Sequence, residues 1–273
     1  VIESDQKWAA CIVYYQDLIS LNNLLSSLDS QTLKPTQAFI ADNNSEQPIQ
    51  NNSYSFPIKT IRLNENKGFA SGANVALKEA IQNNFENLML LSQDVLLEKD
   101  SANKLINQLN ISKGIVFPTM MNRKTNKIFS KGGKINKFWG SIKLSTQSSP
   151  IEVDWADGSC LAFKAETYNA VNGINEKYFM YFEDVDFCWQ VKNKGFNLTH
   201  VETITSQTPK GPTPLLRSRN SILFARRTKL IYLQLSVTKR NLVGVLTLII
   251  RFRFIDSVNR LKGIIQGWTV PSE

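Results

Sequence analysis

The 273-residue chain predicts an α/β fold, an open and mostly parallel sheet with helices on both faces, followed by C-terminal helices. Three observations lead there. Short apolar runs of strand length alternate with stretches whose leucines and alanines recur at helical spacing. Several strand-like runs stop at polar clusters rich in Asp, Asn and Ser, as strand-to-loop junctions do. The composition, 42% hydrophobic and 20% charged, is that of an ordinary globular protein and excludes disordered and fibrous classes.

Trp8–Tyr15 is the first strand, and Leu18, Leu21, Leu24, Leu25 and Leu28 mark the helix after it. Ala38–Asp42 is a second strand, ending at Asp42-Asn43-Asn44-Ser45, and Lys59–Leu63 a third. Gly68–Ile81 follows as a helix, Leu88–Leu91 as a buried strand ending at Ser92-Gln93-Asp94, and Ala102–Leu109 as a helix. Asn122–Ser149, rich in Lys, Asn, Ser and Gly, predicts a surface hairpin or loop. Ile151–Trp155 and Ser159–Phe163 are short strands, Phe187–Lys194 a helix and Phe196–Val201 a strand. Three prolines and a glycine in Thr205–Pro214 predict a loop. Two helices follow from Leu215, with a break near Lys239-Arg240-Asn241.

The three cysteines, Cys11, Cys160 and Cys188, are widely spaced and form no CxxC pair, so they read as reduced residues. Val1–Lys7 carry no signal-peptide pattern. The net charge of +9 is concentrated in the tail, where residues 210–273 hold 12 Lys and Arg against 2 Asp and Glu. Residues 1–209, with 20 against 21, are nearly neutral. Apolar stretches separate the basic residues, which argues for a membrane surface and against nucleic acid. The apolar stretches Leu230–Thr238 and Leu242–Ile250 have nine residues each, short of the ~20 needed to span a bilayer. Amphipathic helices on an anionic surface are therefore the expectation, with packing on the body as the alternative.

Ligands of an open α/β sheet bind beyond the carboxyl ends of its strands, where Asp42, Asn66–Gly72 and Asp94 gather. Asp42 makes an Asx turn or accepts hydrogen bonds from a nucleotide. Asn66-Lys67-Gly68-Phe69-Ala70-Ser71-Gly72-Ala73-Asn74 offers close backbone approach and a helix N-terminus, or is an ordinary helix start. Asp94, at the tip of a very apolar strand, needs a partner, and a divalent cation is one. Glu183, Asp184 and Asp186 fall within four residues, walled by Tyr178, Phe179, Tyr181, Phe182, Phe187 and Trp189. Apolar walls and neighbouring acids raise a carboxylate towards a useful general-base value.

Four blocks in this order, DNNS, ENKGFASGAN, LLSQDV and DWADGSCLAF…VNGINEKYFMYFEDVDFCWQVKNKGF, carry a resemblance. The chain resembles an inverting family 2 glycosyltransferase of the GT-A fold, nearest the bacterial rhamnosyltransferase-like branch, over roughly Trp8 to Lys229. The resemblance implies a Rossmann-like sheet in a catalytic domain at 1–214. Its nucleotide-binding half would be about 1–120 and its acceptor half about 121–214, with basic amphipathic helices at 215–273. It implies that Asp42 and Asn43 contact the nucleotide and that Asn66, Lys67, Gly68, Phe69 and Asn74 line its pocket. Gln93 and Asp94 would face the nucleotide-sugar, Asp94 also holding Mg²⁺ or Mn²⁺. Asp184 matches the general base with Glu183 beside it, and Trp155, Asp157 and Gly158 border the acceptor or sugar.

Two departures bear on the metal. Ser92 stands where many relatives carry a further acid, and a ligand His is missing after the strand that follows Glu183-Asp184. His200, the one histidine, lies several positions too early, while Ser206 or Gln207 falls near the expected place. A register shift would be needed for His200 to complete the site. The implied donor is dTDP-rhamnose first, a UDP-hexose or UDP-galactofuranose next. The implied acceptor is a glycan or a polyprenyl-diphosphate-linked sugar in bacterial surface polysaccharide synthesis, with the protein cytoplasmic and peripheral on the inner membrane face. Arg217 and Arg219 are alternative partners of the donor diphosphate. A catalytically silent sugar-nucleotide-binding module is the rival reading.

Overall fold

A computed structural model describes residues 6–47, 49, 54–146, 152–209 and 211–272. The chain begins β1 (Trp8–Tyr14), α1 (Leu18–Asp29), β2 (Gln37–Asp42), β3 (Ile58–Arg62), α2 (Gly68–Gln82), β4 (Asn87–Ser92), β5 (Leu96–Leu97) and α3 (Ser101–Ile111). It continues β6 (Gly114–Asn122), β7 (Lys127–Ser130), β8 (Gly133–Asn136), β9 (Ser141–Leu144), β10 (Cys160–Lys164), α4 (Ala165–Ala170), α5 (Glu183–Asn193) and β11 (Asn197–Gln207). Three helices close it: α6 (Pro214–Arg227), α7 (Ile231–Ile250) and α8 (Phe254–Thr269).

The main sheet has the order β3-β2-β1-β4-β10-β6-β11-β5, with β7 beside β6. Strands β3, β2, β1 and β4 are mutually parallel, and β6 and β11 are parallel to each other. Strand β10 lies between these groups and runs antiparallel to both β4 and β6. Its direction matters for the site, because the residues before β10 meet the residues after β4.

Every residue of β1 is buried, as expected of a strand covered on both faces. Trp8, Ala10, Ile12 and Tyr14 join Leu21, Leu24, Leu25 and Leu28 of α1 and Leu105, Ile106 and Leu109 of α3 in one core cluster. On the opposite face α2 packs so closely that a Cβ on Gly72 would lie 2.8 Å from Val13 Cγ1. Helices therefore cover both faces. Asn74 anchors α2: its Nδ2 donates to the Ile174 carbonyl (2.7 Å) and to Glu176 (2.8 Å). Its Oδ1 accepts from the Tyr168 hydroxyl (2.9 Å) and the Ile174 N–H (3.0 Å). All three cysteines are buried and free.

The chain forms two compact units. The first comprises Val1–Gly133, Leu144–Phe179 and Glu183–Pro209. The second comprises Lys134–Lys143, Met180–Phe182 and Lys210–Glu273, so it takes in two short segments that the sequence reading left in the body. In the second unit α6, α7 and α8 pack on one another. Small residues let α8 approach α6, for a Cβ on Gly263 would stand 2.3 Å from the Leu215 carbonyl oxygen.

Several elements differ from the sequence expectation. Strand β6 was not anticipated. Pro118 interrupts its apolar run and has no N–H to give, and the β11 register shifts directly after Val201, the residue opposite Pro118. Residues 152–154 form no strand and Trp155 makes one isolated bridge to Gly133, while Ile151 lies outside the described residues. Strand β11 continues to Gln207, into the expected loop. Three helices, not two, follow Pro214, and α7 passes unbroken through Lys239-Arg240-Asn241. Lys and Arg are good helix formers, and Asn241 Nδ2 donates to the Val237 carbonyl and to Ser221 Oγ, both at 3.0 Å. The turn falls instead at Arg251–Arg253.

Candidate active site

Asp42 ends β2 and is buried. Its Oδ1 accepts the N–H of Ser45, three residues on (2.8 Å), and its Oδ2 takes a 2.7 Å ion pair from Arg62 Nη1. Arg62 also donates to Asn44 Oδ1 (3.1 Å) and the Ser45 carbonyl (2.8 Å). Nothing in the sequence singled out Arg62; its register opposite Asp42 on parallel β3 is what brings it there. Asn43 Nδ2 donates to the Gly68 carbonyl (3.1 Å), while its buried Oδ1 has no partner among the described residues.

The Asn66–Asn74 segment enters α2 through a left-handed Gly68 at φ +84°, whose N–H donates to Asn66 Oδ1 (2.9 Å). A Cβ there would collide with the Phe179 carbonyl oxygen at 2.0 Å, and the Phe69 N–H donates to that same oxygen (2.7 Å). This backbone contact ties the second sequence block to the fourth. Lys67 is exposed, its Nζ 3.8 Å from Glu65. Asn74 is buried, and both ends of its amide are already committed inside the protein.

Gln93 closes the seam between β1 and β4. Its Oε1 accepts the Tyr15 N–H (2.6 Å) and its Nε2 donates to the Tyr15 carbonyl (3.0 Å). Asp94 follows, with Ser92 Oγ donating to its Oδ1 (2.9 Å). Arg123, another residue the sequence reading missed, donates from Nη2 to the Asp94 carbonyl (3.0 Å) and from its N–H to the Gln207 carbonyl (2.8 Å).

The start of β10 supplies the next acids. The Ser92 N–H donates to the Ser159 carbonyl (3.0 Å), which sets Asp157 beside the tip of β4. Asp157 Oδ1 accepts the Ser159 N–H (3.0 Å). Burial raises the Asp157 carboxyl, and the nearby Asp94 charge pushes the same way. The Gly158 N–H donates to Asp184 Oδ2 (3.0 Å). Only glycine allows that approach, since a Cβ on residue 158 would stand 2.8 Å from the Asp184 Cβ.

Asp184 sits in the first turn of α5, its Oδ1 accepting the Val185 N–H (2.8 Å). Burial, and then the charge of Asp157, pushes its carboxyl up to about 7. Glu183 is buried beside it and stands well above the usual carboxylate range, from burial first and then from Asp184. Glu183 Oε2 and the indole N–H of Trp155 are buried without a partner among the described residues. The structure thus brings Asp94, from the third sequence block, together with Asp157, Glu183 and Asp184 from the fourth.

It does not bring His200. That ring pairs with Thr119 Oγ1 at 2.8 Å and packs on Phe117, and burial pushes its imidazole down. A bulge does interrupt β11, but beyond it Ser206 is the residue opposite Leu96, two positions after Asp94. In the β6 register His200 stands opposite Phe117 and Ser206 opposite Met121, a separation of about 13 Å along a strand.

No group of three or more His, Cys, Asp or Glu suited to a metal ion occurs among the described residues. Asp94 is the carboxylate that would hold a divalent cation, since Mg²⁺ typically takes one or two carboxylates and completes its shell with substrate phosphates and water. A cation there would also relieve the repulsion that Asp94 exerts on Asp157.

A glycine pair tests the loop contact. Gly68→Ala places a side chain at positive φ and into the Phe179 carbonyl, whereas Gly195→Ala, at φ +83°, meets nothing within 4 Å. Gly195→Ala should cost about 1–2 kcal/mol from the left-handed backbone alone, and Gly68→Ala clearly more, by urea denaturation. Equal losses would mean that the Gly68–Phe179 contact is unimportant.

Several known proteins are similar to this chain. "Low-salt glycan biosynthesis hexosyltransferase Agl10" of Haloferax volcanii is 22% identical over 201 residues, 71% of this chain and 64% of that protein. The chain thus spans less than two thirds of that relative's length. The "N-acetylglucosaminyl-diphospho-decaprenol L-rhamnosyltransferase" of Mycobacterium tuberculosis is 40% identical over 50 residues, 18% of this chain and 16% of its own. Among solved structures, GalNAc-T7 with UDP, GalNAc and Mn²⁺ superposes with a TM-score of 0.66 at 12% identity, covering 86% of this chain and 50% of that one. S. aureus TarS 1-349 in complex with UDP superposes with a TM-score of 0.52 at 14% identity, covering 80% and 64%. These two likenesses establish the GT-A-like fold. The sequence pattern described as "Glycosyl transferase family 2" matches residues 10–168, more than half the chain, and the chain belongs to that family.

Proposed function

We propose that the protein is an inverting glycosyltransferase that moves one sugar from a nucleoside-diphosphate donor to an acceptor hydroxyl. The observation that carries this reading is Asp184, fixed by the Gly158 N–H and raised to about 7 beside Asp157. A carboxylate of that value is half ionised near neutral pH and is basic enough to take a proton from an attacking hydroxyl.

In the proposed reaction the acceptor O–H gives its proton to Asp184. Its oxygen forms the new bond to the anomeric carbon while the bond to the diphosphate oxygen breaks on the opposite side, inverting that carbon. The transition state is oxocarbenium-like. Asp42, with Arg62 and Asn43, borders the nucleotide, and the α2 entry at Asn66–Phe69 lines it. Glu183 Oε2 and Trp155 Nε1 supply a buried acceptor and a buried donor for sugar hydroxyls. Asp94 would hold Mg²⁺ or Mn²⁺, which supplies positive charge where negative charge develops on the leaving diphosphate.

For the finer identity, dTDP-rhamnose is the first donor to test and a UDP-hexose or UDP-galactofuranose the second, with a glycan or polyprenyl-diphosphate-linked sugar as acceptor. The M. tuberculosis relative's name supports a lipid-linked acceptor, and the UDP in the TarS complex supports the second donor class. A polyprenyl-linked acceptor would place the enzyme at the inner face of the cell membrane. A panel of nucleotide-sugars tested for transfer, with NMR of the product's anomeric centre, decides the reading. Retained configuration, or donor binding without turnover on any acceptor, contradicts it.

Asp184→Asn should lower transfer by roughly 10²–10⁴-fold and leave nucleoside-diphosphate binding intact. The wild-type rate should climb with pH through about 7 and then level off, because only the ionised carboxylate accepts a proton. Stability carries the opposite sign. The folded value lies above the ordinary ~3.9 of an unfolded Asp, so the favourable contribution of its protonated form is lost as pH rises through 7. Asp184→Asn should therefore gain stability over wild type in alkaline melts. A wild-type-like rate in this variant would remove Asp184 from the mechanism.

Asp94→Ala tests the cation. The variant should bind nucleoside diphosphate more weakly than wild type with Mg²⁺ or Mn²⁺ present, and the two should converge in EDTA. Equal affinities under both conditions contradict the assignment.

A further inference from the structure

We infer that the α7–α8 hairpin is a docking surface for an anionic lipid bilayer, lying in the plane of the membrane. The inference stands on observations separate from the sugar-transfer reading.

The first observation is an inverted amphipathicity. A helix of a soluble domain turns its apolar stripe inward. Helix α7 buries Leu233, Val237 and Asn241 and turns outward a longer apolar stripe that includes Tyr232, Leu235, Leu246 and Ile250. Helix α8 buries Ser257, Gly263, Ile264 and Gly267 and turns outward Ile255, at 79% exposed, Val258, Leu261 and Ile265. The turn between them presents Phe252, 82% exposed and at φ +56°, between Arg251 and Arg253. Scattered exposed apolar residues are normal on a protein surface, but a continuous stripe along two adjacent helices marks an interaction site.

The second observation names the occupant. Residues 210–273 carry 12 basic against 2 acidic side chains, and Lys239, Arg240, Arg251, Arg253 and Lys262 are exposed along the same hairpin. A second copy would set this positive charge against itself. An anionic bilayer complements it, taking the apolar stripe into the headgroup–acyl boundary and the basic groups against its phosphates. Trp268, with Arg226 5.7 Å over its ring, suits the same boundary.

The third observation fixes the orientation. Helix α7 is long and apolar enough to cross a membrane by length and composition, with a mean hydropathy of 1.3. Its middle, however, holds Lys239 and Arg240, and Asn241 there is bonded to Ser221 of α6 and to Arg260 of α8. Crossing would pull these charges into hydrocarbon and break those bonds. Lying flat keeps both.

Co-sedimentation of the whole chain with vesicles tests the inference. The protein should pellet with phosphatidylglycerol-containing vesicles at least about tenfold better than with pure phosphatidylcholine, and salt should release it. Alkaline carbonate should release it fully. Phe252→Ser with Ile255→Ser, and separately Arg251→Gln with Lys262→Gln, should each weaken binding several-fold. These side chains are exposed, so a thermal melt and nucleoside-diphosphate binding should stay unchanged in both variants. Failure of the wild type to pellet, unchanged binding by both variants, or a concentration-dependent dimer in place of vesicle binding overturns the proposal. Resistance to carbonate overturns the in-plane orientation. Vesicle binding without any sugar transfer would contradict the activity and leave this surface standing.

Discussion

The hydrogen bond from the Ser92 N–H to the Ser159 carbonyl, 3.0 Å long, joins the end of β4 to the beginning of β10. The carboxylate cluster hangs on it. Because β10 runs against β4, residues that precede a strand in sequence reach the edge where the parallel strands finish. Had β10 run parallel, Asp157 and Gly158 would sit at the far end of the sheet. Asp94 would then have no acidic neighbour, and Asp184 would lose both its N–H donor and the charge that helps raise it.

That arrangement places several acids where each makes the next harder to ionise. Burial is the larger cause for Asp157, Glu183 and Asp184 alike, and mutual repulsion adds to it. Such a site costs stability, and its support is correspondingly rigid: the Gln93–Tyr15 seam, the Gly68–Phe179 contact and the four-way grip on Asn74. Hydrogen bonds within the protein hold the elements, and short bonds from Ser92, Ser159, Gly158 and Val185 fix Asp94, Asp157 and Asp184 in place.

Much of this was legible in the sequence. The β1 to α3 alternation follows from apolar periodicity, and the acids at strand ends follow from the fold class. Apolar walls and neighbouring acids predict raised carboxylates at Glu183-Asp184, and burial with neighbouring charge raises both. What escaped detection depends on pairing at a distance. Arg62 reaches Asp42 only through the β2–β3 register, and Arg123 reaches Asp94 only because β6 ends beside β11. Strand β6 itself was hidden by Pro118, an unusual residue for an interior strand. The α7 stripe was obscured by Lys239-Arg240-Asn241, which reads as a break until Ser221 and Arg260 are seen to satisfy Asn241. Motif spacing already put His200 several positions too early for the site, and the structure keeps it there, opposite Phe117 and before the bulge that follows Val201.

The central claim is that the fold holds Asp184 as a carboxylate titrating near neutrality. A ¹³C NMR titration of the Asp184 side-chain carboxyl, assigned by its loss in Asp184→Asn, measures this directly. A midpoint near the 7 that burial and Asp157 produce supports the account. A midpoint near ~4, the ordinary value of an exposed aspartate, would contradict it.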